Sequence, residues 1–64
     1  MWVIQRIGGG YVAQPGSEHS YVMNIFDARW FSTREEAERH RCPENERIYD
    51  TRPIMERLAR NAGQ

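Results

Sequence analysis

His40 and Cys42 form the one pairing in this chain that could support nucleophilic chemistry, a thiol with an imidazole two positions before it. Cysteine–histidine catalysis needs the imidazole within hydrogen-bond reach of the sulfur and a third group to orient it. In helical geometry, side chains two residues apart point about 200° away from each other. Cys42 therefore reads as a small buried hydrophobe that closes a helix. His19, His40 and Cys42 show neither Cys-x-x-Cys nor His-x₃-His spacing, so they do not read as metal ligands. Ser17-Glu-His-Ser20 has the residue types of a hydrolytic triad, but triads are assembled in space, and this run reads as a turn. Gly8-Gly9-Gly10 could cradle a phosphate only if a helix began after it. Another apolar run, Tyr11 to Ala13, follows instead, so the glycines read as a hairpin turn. No catalytic residue, cofactor or metal ligand is expected, and the chain reads as non-enzymatic.

The remaining chemistry is recognition. Arg6, Arg29, Arg34, Arg39, Arg41, Arg47, Arg52, Arg57 and Arg60 carry all the positive side-chain charge, and there is no lysine. Guanidinium groups favour bidentate contacts with carboxylate or phosphate and recur at interfaces. Arg29 and Trp30 stand just before the clearest helix, Arg39 and Arg41 close it, and Glu44 and Glu46 fall in the turn beyond. Arg29, Trp30, Arg39, Arg41, Glu44 and Glu46 are accordingly the expected partner-binding residues, because large aromatics beside arginine make interface hot spots. The same arginines, with Trp2, Tyr11, Tyr21 and Trp30, open a second reading as a small nucleic-acid-binding accessory protein. Nine acids interspersed among the arginines, a net charge of zero and a pI near 6.7 speak against it. Nucleic-acid modules usually carry a clear basic patch.

The elements that must position these groups are legible from pattern. Trp2 to Ile7 is β-branched and aromatic, and with Tyr11 to Ala13 it predicts an antiparallel hairpin across the glycines. Alternation places Trp2, Ile4 and Arg6 on one face and Val3, Gln5 and Ile7 on the other. Neither face is cleanly polar, so the strand is expected to be covered on both sides. Pro15-Gly16 suits the centre of a type II turn. Tyr21 to Ile25 predicts a third strand, with a helical turn within Asn24 to Ala28 as the open alternative. Ser32-Thr-Arg-Glu35 has the form of a capping box, opening a helix over 33–41 with acids early and arginines late. Pro43 stops that helix, and Arg47 to Tyr49, extending to Asp50, predicts a returning strand. Pro53 to Ala62 predicts a second helix with an Ile54, Leu58, Ala62 stripe, too short to stand alone.

The expected fold class is α+β: a small antiparallel sheet of three to four strands, one helix packed on it and a short C-terminal helix. The 64 residues read as a single domain, with sheet and capped helix over 1–50 and the C-terminal helix over 51–64. A domain this small buries only about 60% of the surface its unfolded chain exposes. Its core supplies no more than about 3–5 kcal/mol. With one cysteine and no disulfide available, oligomerisation or partner binding is the remaining staple, which leaves a homodimer open. The longest apolar run, Met1 to Ile4, is far below the roughly 20 residues that cross a bilayer, so no membrane partner is expected. A single thiol and no secretory leader pattern favour a reducing, cytoplasmic setting.

Ala28-Arg-Trp-Phe-Ser-Thr-Arg-Glu-Glu-Ala-Glu38, followed by Cys42-Pro-Glu-Asn-Glu-Arg47, resembles a group of small uncharacterised α+β proteins encoded by bacterial phages and prophages. The likeness includes the Trp2-Val-Ile start and the Gly-Gly-Tyr-Val-Ala segment, covers roughly residues 2–49, and leaves out the C-terminal helix. It implies a mobile-element origin and carries over no site residue. Small phage proteins often act by binding a host protein, inhibitors of CRISPR and other defence effectors among them. The function so implied is anti-CRISPR-like binding and inhibition of a host protein or ribonucleoprotein complex in the host cytoplasm, without a cofactor.

Overall fold

Short strands of β-branched and aromatic residues become stable only when several pair and both faces find cover. The computed structural model describes residues 1–63, and in it four such strands form one antiparallel sheet in the order β3-β2-β1-β4. The elements run β1 (Trp2–Arg6), β2 (Tyr11–Val12), β3 (Tyr21–Val22), a 3-10 turn (Ile25–Asp27), α1 (Arg34–His40), β4 (Glu46–Asp50) and α2 (Arg52–Ala62). The molecule is thus a small α+β domain with two helices.

β1 is the hub. Along one edge it pairs with β4 over its full length, Trp2 opposite Asp50 through Arg6 opposite Glu46. Along the other edge it meets β2 at Gln5–Tyr11, across the predicted glycine turn. Near Trp2 the neighbour on that side is Phe31, which exchanges two backbone hydrogen bonds with Trp2 at 2.9 and 2.7 Å. The Ala28–Phe31 segment therefore crosses from β2, where Arg29 donates to the Val12 carbonyl at 3.0 Å, to β1.

The two faces of β1 bury two separate clusters, as its mixed alternation requires. Ile4, Phe31 and the α1 residue Ala37 form one, edged by Trp2, Val12 and Ile48. Val3, Ile25 and Ala28 form the other, edged by Tyr11, Val22, Trp30, Tyr49 and Ile54. Strand pairing carries the same division outward, with Arg6, Tyr21 and Glu46 on the Ile4 face.

Several boundaries differ from the sequence expectation. The N-cap of α1 is Thr33, whose side-chain oxygen accepts from the Glu36 amide at 3.1 Å, and not Ser32. Thr33-Arg-Glu-Glu36 has the same capping-box form one residue later, and starting there turns Ala37 fully inward. α1 ends at His40, with Arg41 already extended, so Pro43 lies in the turn beyond rather than at the stop. β3 stops at Val22, because Asn24 caps the 3-10 turn by accepting from the Phe26 amide at 2.9 Å. That turn, the alternative left open by the sequence, brings Ile25 and Ala28 into the core. The Pro15-Gly16 turn is as expected: Ser17 donates to the Gln14 carbonyl at 3.1 Å, and Gly16 holds φ +86°.

α2 begins where Thr51 is tied to the N-terminus. Its amide and hydroxyl both donate to the Met1 carbonyl, at 3.0 and 2.7 Å, which leaves the hydroxyl unable to cap the helix. Ile54 reaches the Val3 cluster, whereas Met55 and Leu58 stay 46% and 45% exposed.

Candidate partner-binding surface

The segment between β3 and α1 sets the most exposed aromatic surface. Asn24 fixes the 3-10 turn, so the carbonyl of Ile25 is held in place to accept a 2.9 Å hydrogen bond from Trp30 Nε1. With its polar end satisfied, the indole lies half-buried against the Val3 cluster. Phe26 stacks on it, with centroids 6.2 Å apart and planes 23° apart, and remains 52% exposed. Met23, just before the cap, is 81% exposed.

Arg29 points to the other side of the same segment, its guanidinium 4.8 Å over the Phe31 ring. His40 stacks on that ring at 5.4 Å, which brings Arg29 to the C-terminal end of α1. Arg39 is exposed there. Arg41 is half-buried: its Nη1 donates to the Glu46 carbonyl at 2.9 Å, and its Nε lies 3.3 Å from Glu38. Glu44 is exposed in the turn over 43–45.

Glu46 sits differently from its expected place in that turn. It is the first residue of β4 and only 7% exposed. A buried carboxylate must find donors, and this one accepts from the Cys42 amide at 2.8 Å and from the Tyr21 hydroxyl. The hydrogen bond to Glu46, with burial and the Glu46 charge adding to it, holds the Tyr21 hydroxyl above its ordinary value of 10.0. Arg6 covers the Tyr21 ring at 4.8 Å. Glu46 is therefore spent on tying β3, β4 and the end of α1 together. Cys42 also departs from expectation: the thiol residue is exposed, because the helix has ended two residues earlier.

The six expected residues thus separate. Arg29 lies over Phe31, Arg39 and Arg41 stand at the end of α1 with Glu44 in the turn beyond, Glu46 is buried and bonded to Arg41, and Trp30 faces the opposite side with Phe26. Phe26 escaped the sequence reading, since it falls just past the expected Tyr21 to Ile25 strand, in the Asn24 to Ala28 stretch, where no periodicity marks a face. A further aromatic–arginine cluster lies on the α1 side, where Arg34 and Arg52 approach the Trp2 ring at 5.7 and 5.9 Å. Each is also tied to an acid: Arg34 to Glu38 at 3.7 Å and Arg52 to Asp50 at 2.6 Å. The Arg52 side-chain and amide hydrogen bonds hold the Asp50 carboxyl below its ordinary 3.8. Among the described residues there is no pocket, no group of three metal-ligating side chains and no helix long and apolar enough to cross a membrane. The surface presents the exposed Phe26 ring and the guanidinium groups over Phe31, Tyr21 and Trp2. Comparison with protein-family models, curated proteins and solved structures finds no match to this chain.

Proposed function

We propose that this chain is a non-enzymatic, phage-type protein that binds and inhibits a host macromolecule, its target class being host defence effectors such as CRISPR complexes. The observation that carries this reading is the Phe26–Trp30 pair, in which an indole anchored on the Ile25 carbonyl supports a half-exposed phenyl ring. A pre-fixed aromatic loses little rotamer freedom on binding, and such residues stand at the centre of interface hot spots. Arg29, Arg39 and Glu44 lie on the opposite side and supply a second, charged surface apart from this pair. In this reading α1 is the main brace of the sheet, α2 touches the other face through Ile54, and the exposed Phe26 ring is left to the partner, met in the host cytoplasm. The resemblance of residues 2–49 to phage-encoded proteins supports the same class. The nucleic-acid reading has less to rest on, because arginines already lie over the Trp2 and Tyr21 rings where bases would stack.

The test is phage plaquing on bacterial strains with an active defence system, with the protein expressed from a plasmid. The expected outcome is that the wild-type chain restores plaques of a targeted phage by orders of magnitude in at least one strain, and that Phe26→Asp loses most of this gain. Restoration that is equal for both chains contradicts the assignment of the surface, and no restoration in any strain contradicts the class.

A further inference from the structure

β4 is the last strand of the sheet, and its outer edge is unusually well defined. In an antiparallel ladder, alternate residues turn both backbone groups toward one neighbour. Trp2 and Arg6 turn theirs away from β4, toward Phe31 and Gly10. The residues opposite them and between them, Asp50, Glu46 and Ile48, therefore face outward. Glu46 is satisfied, since its amide donates to the Cys42 carbonyl at 3.0 Å and its carbonyl accepts from Arg41 Nη1 at 2.9 Å. Among the described residues, no hydrogen bond reaches the amide or carbonyl of Ile48 or Asp50. Four backbone groups in a row stand open, with no proline or bulge to guard them.

We infer that this edge pairs with the same edge of a second copy, across a two-fold axis at Tyr49. The hydrogen-bond accounting fits a second copy and selects its register. With Tyr49 opposite Tyr49 of the second copy, Ile48 falls opposite Asp50 and Asp50 opposite Ile48. Each pair exchanges two hydrogen bonds, so all the open groups of both chains are used. A shift that sets Ile48 opposite itself places Asp50 against Glu46, whose edge groups are occupied. A shift that sets Asp50 opposite itself places Ile48 against Arg52, which is helical. Side chains agree with the Tyr49 register: Arg47 lies opposite Thr51 and diagonal to the other Tyr49, and no like charges oppose each other. The strand also ends, at the start of α2, where the Arg41–Cys42 segment of the second copy occupies the edge. A joint of two hydrogen-bonded pairs is well short of the roughly 1,200 Å² of a stable interface, so the pairing is weak and concentration-dependent.

Amide hydrogen exchange on the unmodified chain, with sedimentation at matched concentrations, tests this directly. Between about 10 µM and about 1 mM, the Ile48 and Asp50 amides should slow by roughly tenfold, while the inward-facing Arg47 and Tyr49 amides change far less. Over the same range the average mass should move from 7.6 kDa toward twice that value. A chain that stays monomeric throughout overturns the inference. So does a dimer in which the Ile48 and Asp50 amides still exchange fast, because the joint would then lie elsewhere, as on the exposed Met55–Leu58 side of α2.

Discussion

At the scale of single residues, Glu46 matters more to this molecule than any other charged group. Its carboxylate gathers the Cys42 amide and the Tyr21 hydroxyl, groups that belong to the segment just after α1 and to β3. Removing it leaves two donors without their acceptor, which in a part-buried setting costs about 1–3 kcal/mol. Against the roughly 3–5 kcal/mol expected of so small a core, that is a large fraction. Glu46→Ala should therefore lower the urea midpoint sharply. The same contact has a pH signature. The folded state holds the Tyr21 proton more tightly than the unfolded chain, so the contribution to stability is complete below pH 10.0. It is lost as the pH rises from there through the folded-state value. Tyr21, followed by the chemical shift of its ring carbons, should titrate above 10.0 in the wild type and fall back toward that value in Glu46→Gln. An unshifted Tyr21 in the wild-type chain would contradict this account of the contact. Nothing in the sequence marks the pairing, since the partners stand 25 positions apart and Glu46 resembles its exposed neighbour Glu44.

At the scale of elements, the parts read correctly from sequence are those whose signals are local. The glycine hairpin and the Pro15-Gly16 turn each depend on a few adjacent residues. So does α1, with its order of acids before arginines. The cap itself shows the limit of such signals, because Ser32 and Thr33 each stand three positions before a glutamate. Tertiary packing decides between them: Phe31 must reach Trp2, and Ala37 must turn onto Ile4. Thr33→Ala should cost about 1 kcal/mol in a denaturation titration. Ser32→Ala, which makes no capping contact, should stay within about 0.5 kcal/mol of wild type. Equal losses would place the helix start where the sequence alone puts it. The expected third strand runs past Val22 for a related reason, since the apolar alternation through Tyr21, Met23 and Ile25 conceals the Asn24 cap.

At the scale of the whole molecule, a sheet covered on both faces uses most of its large apolar residues as structure. Trp2 and Trp30 both edge clusters, and the aromatic excess that suggested an interface is largely absorbed there. What remains outside among the described residues is Phe26 on Trp30, Met23, the Met55 and Leu58 side of α2, and Met1 and Ile7 at the two ends of β1. The net charge of zero fits recognition at short range, because it supplies no long-range field to steer a partner. Under the proposed function the labour divides: Glu46, Phe31 and Thr51 hold the fold, and Phe26 is the proposed contact with the partner. Capture from bacterial lysate on immobilised wild-type and Phe26→Asp chains, with melting curves of both, tests that claim most directly. The account predicts a macromolecule retained by the wild type and reduced at least about tenfold on the variant, with melting temperatures within a few degrees of each other. Identical retention on both chains, or no retained macromolecule on either, would contradict it.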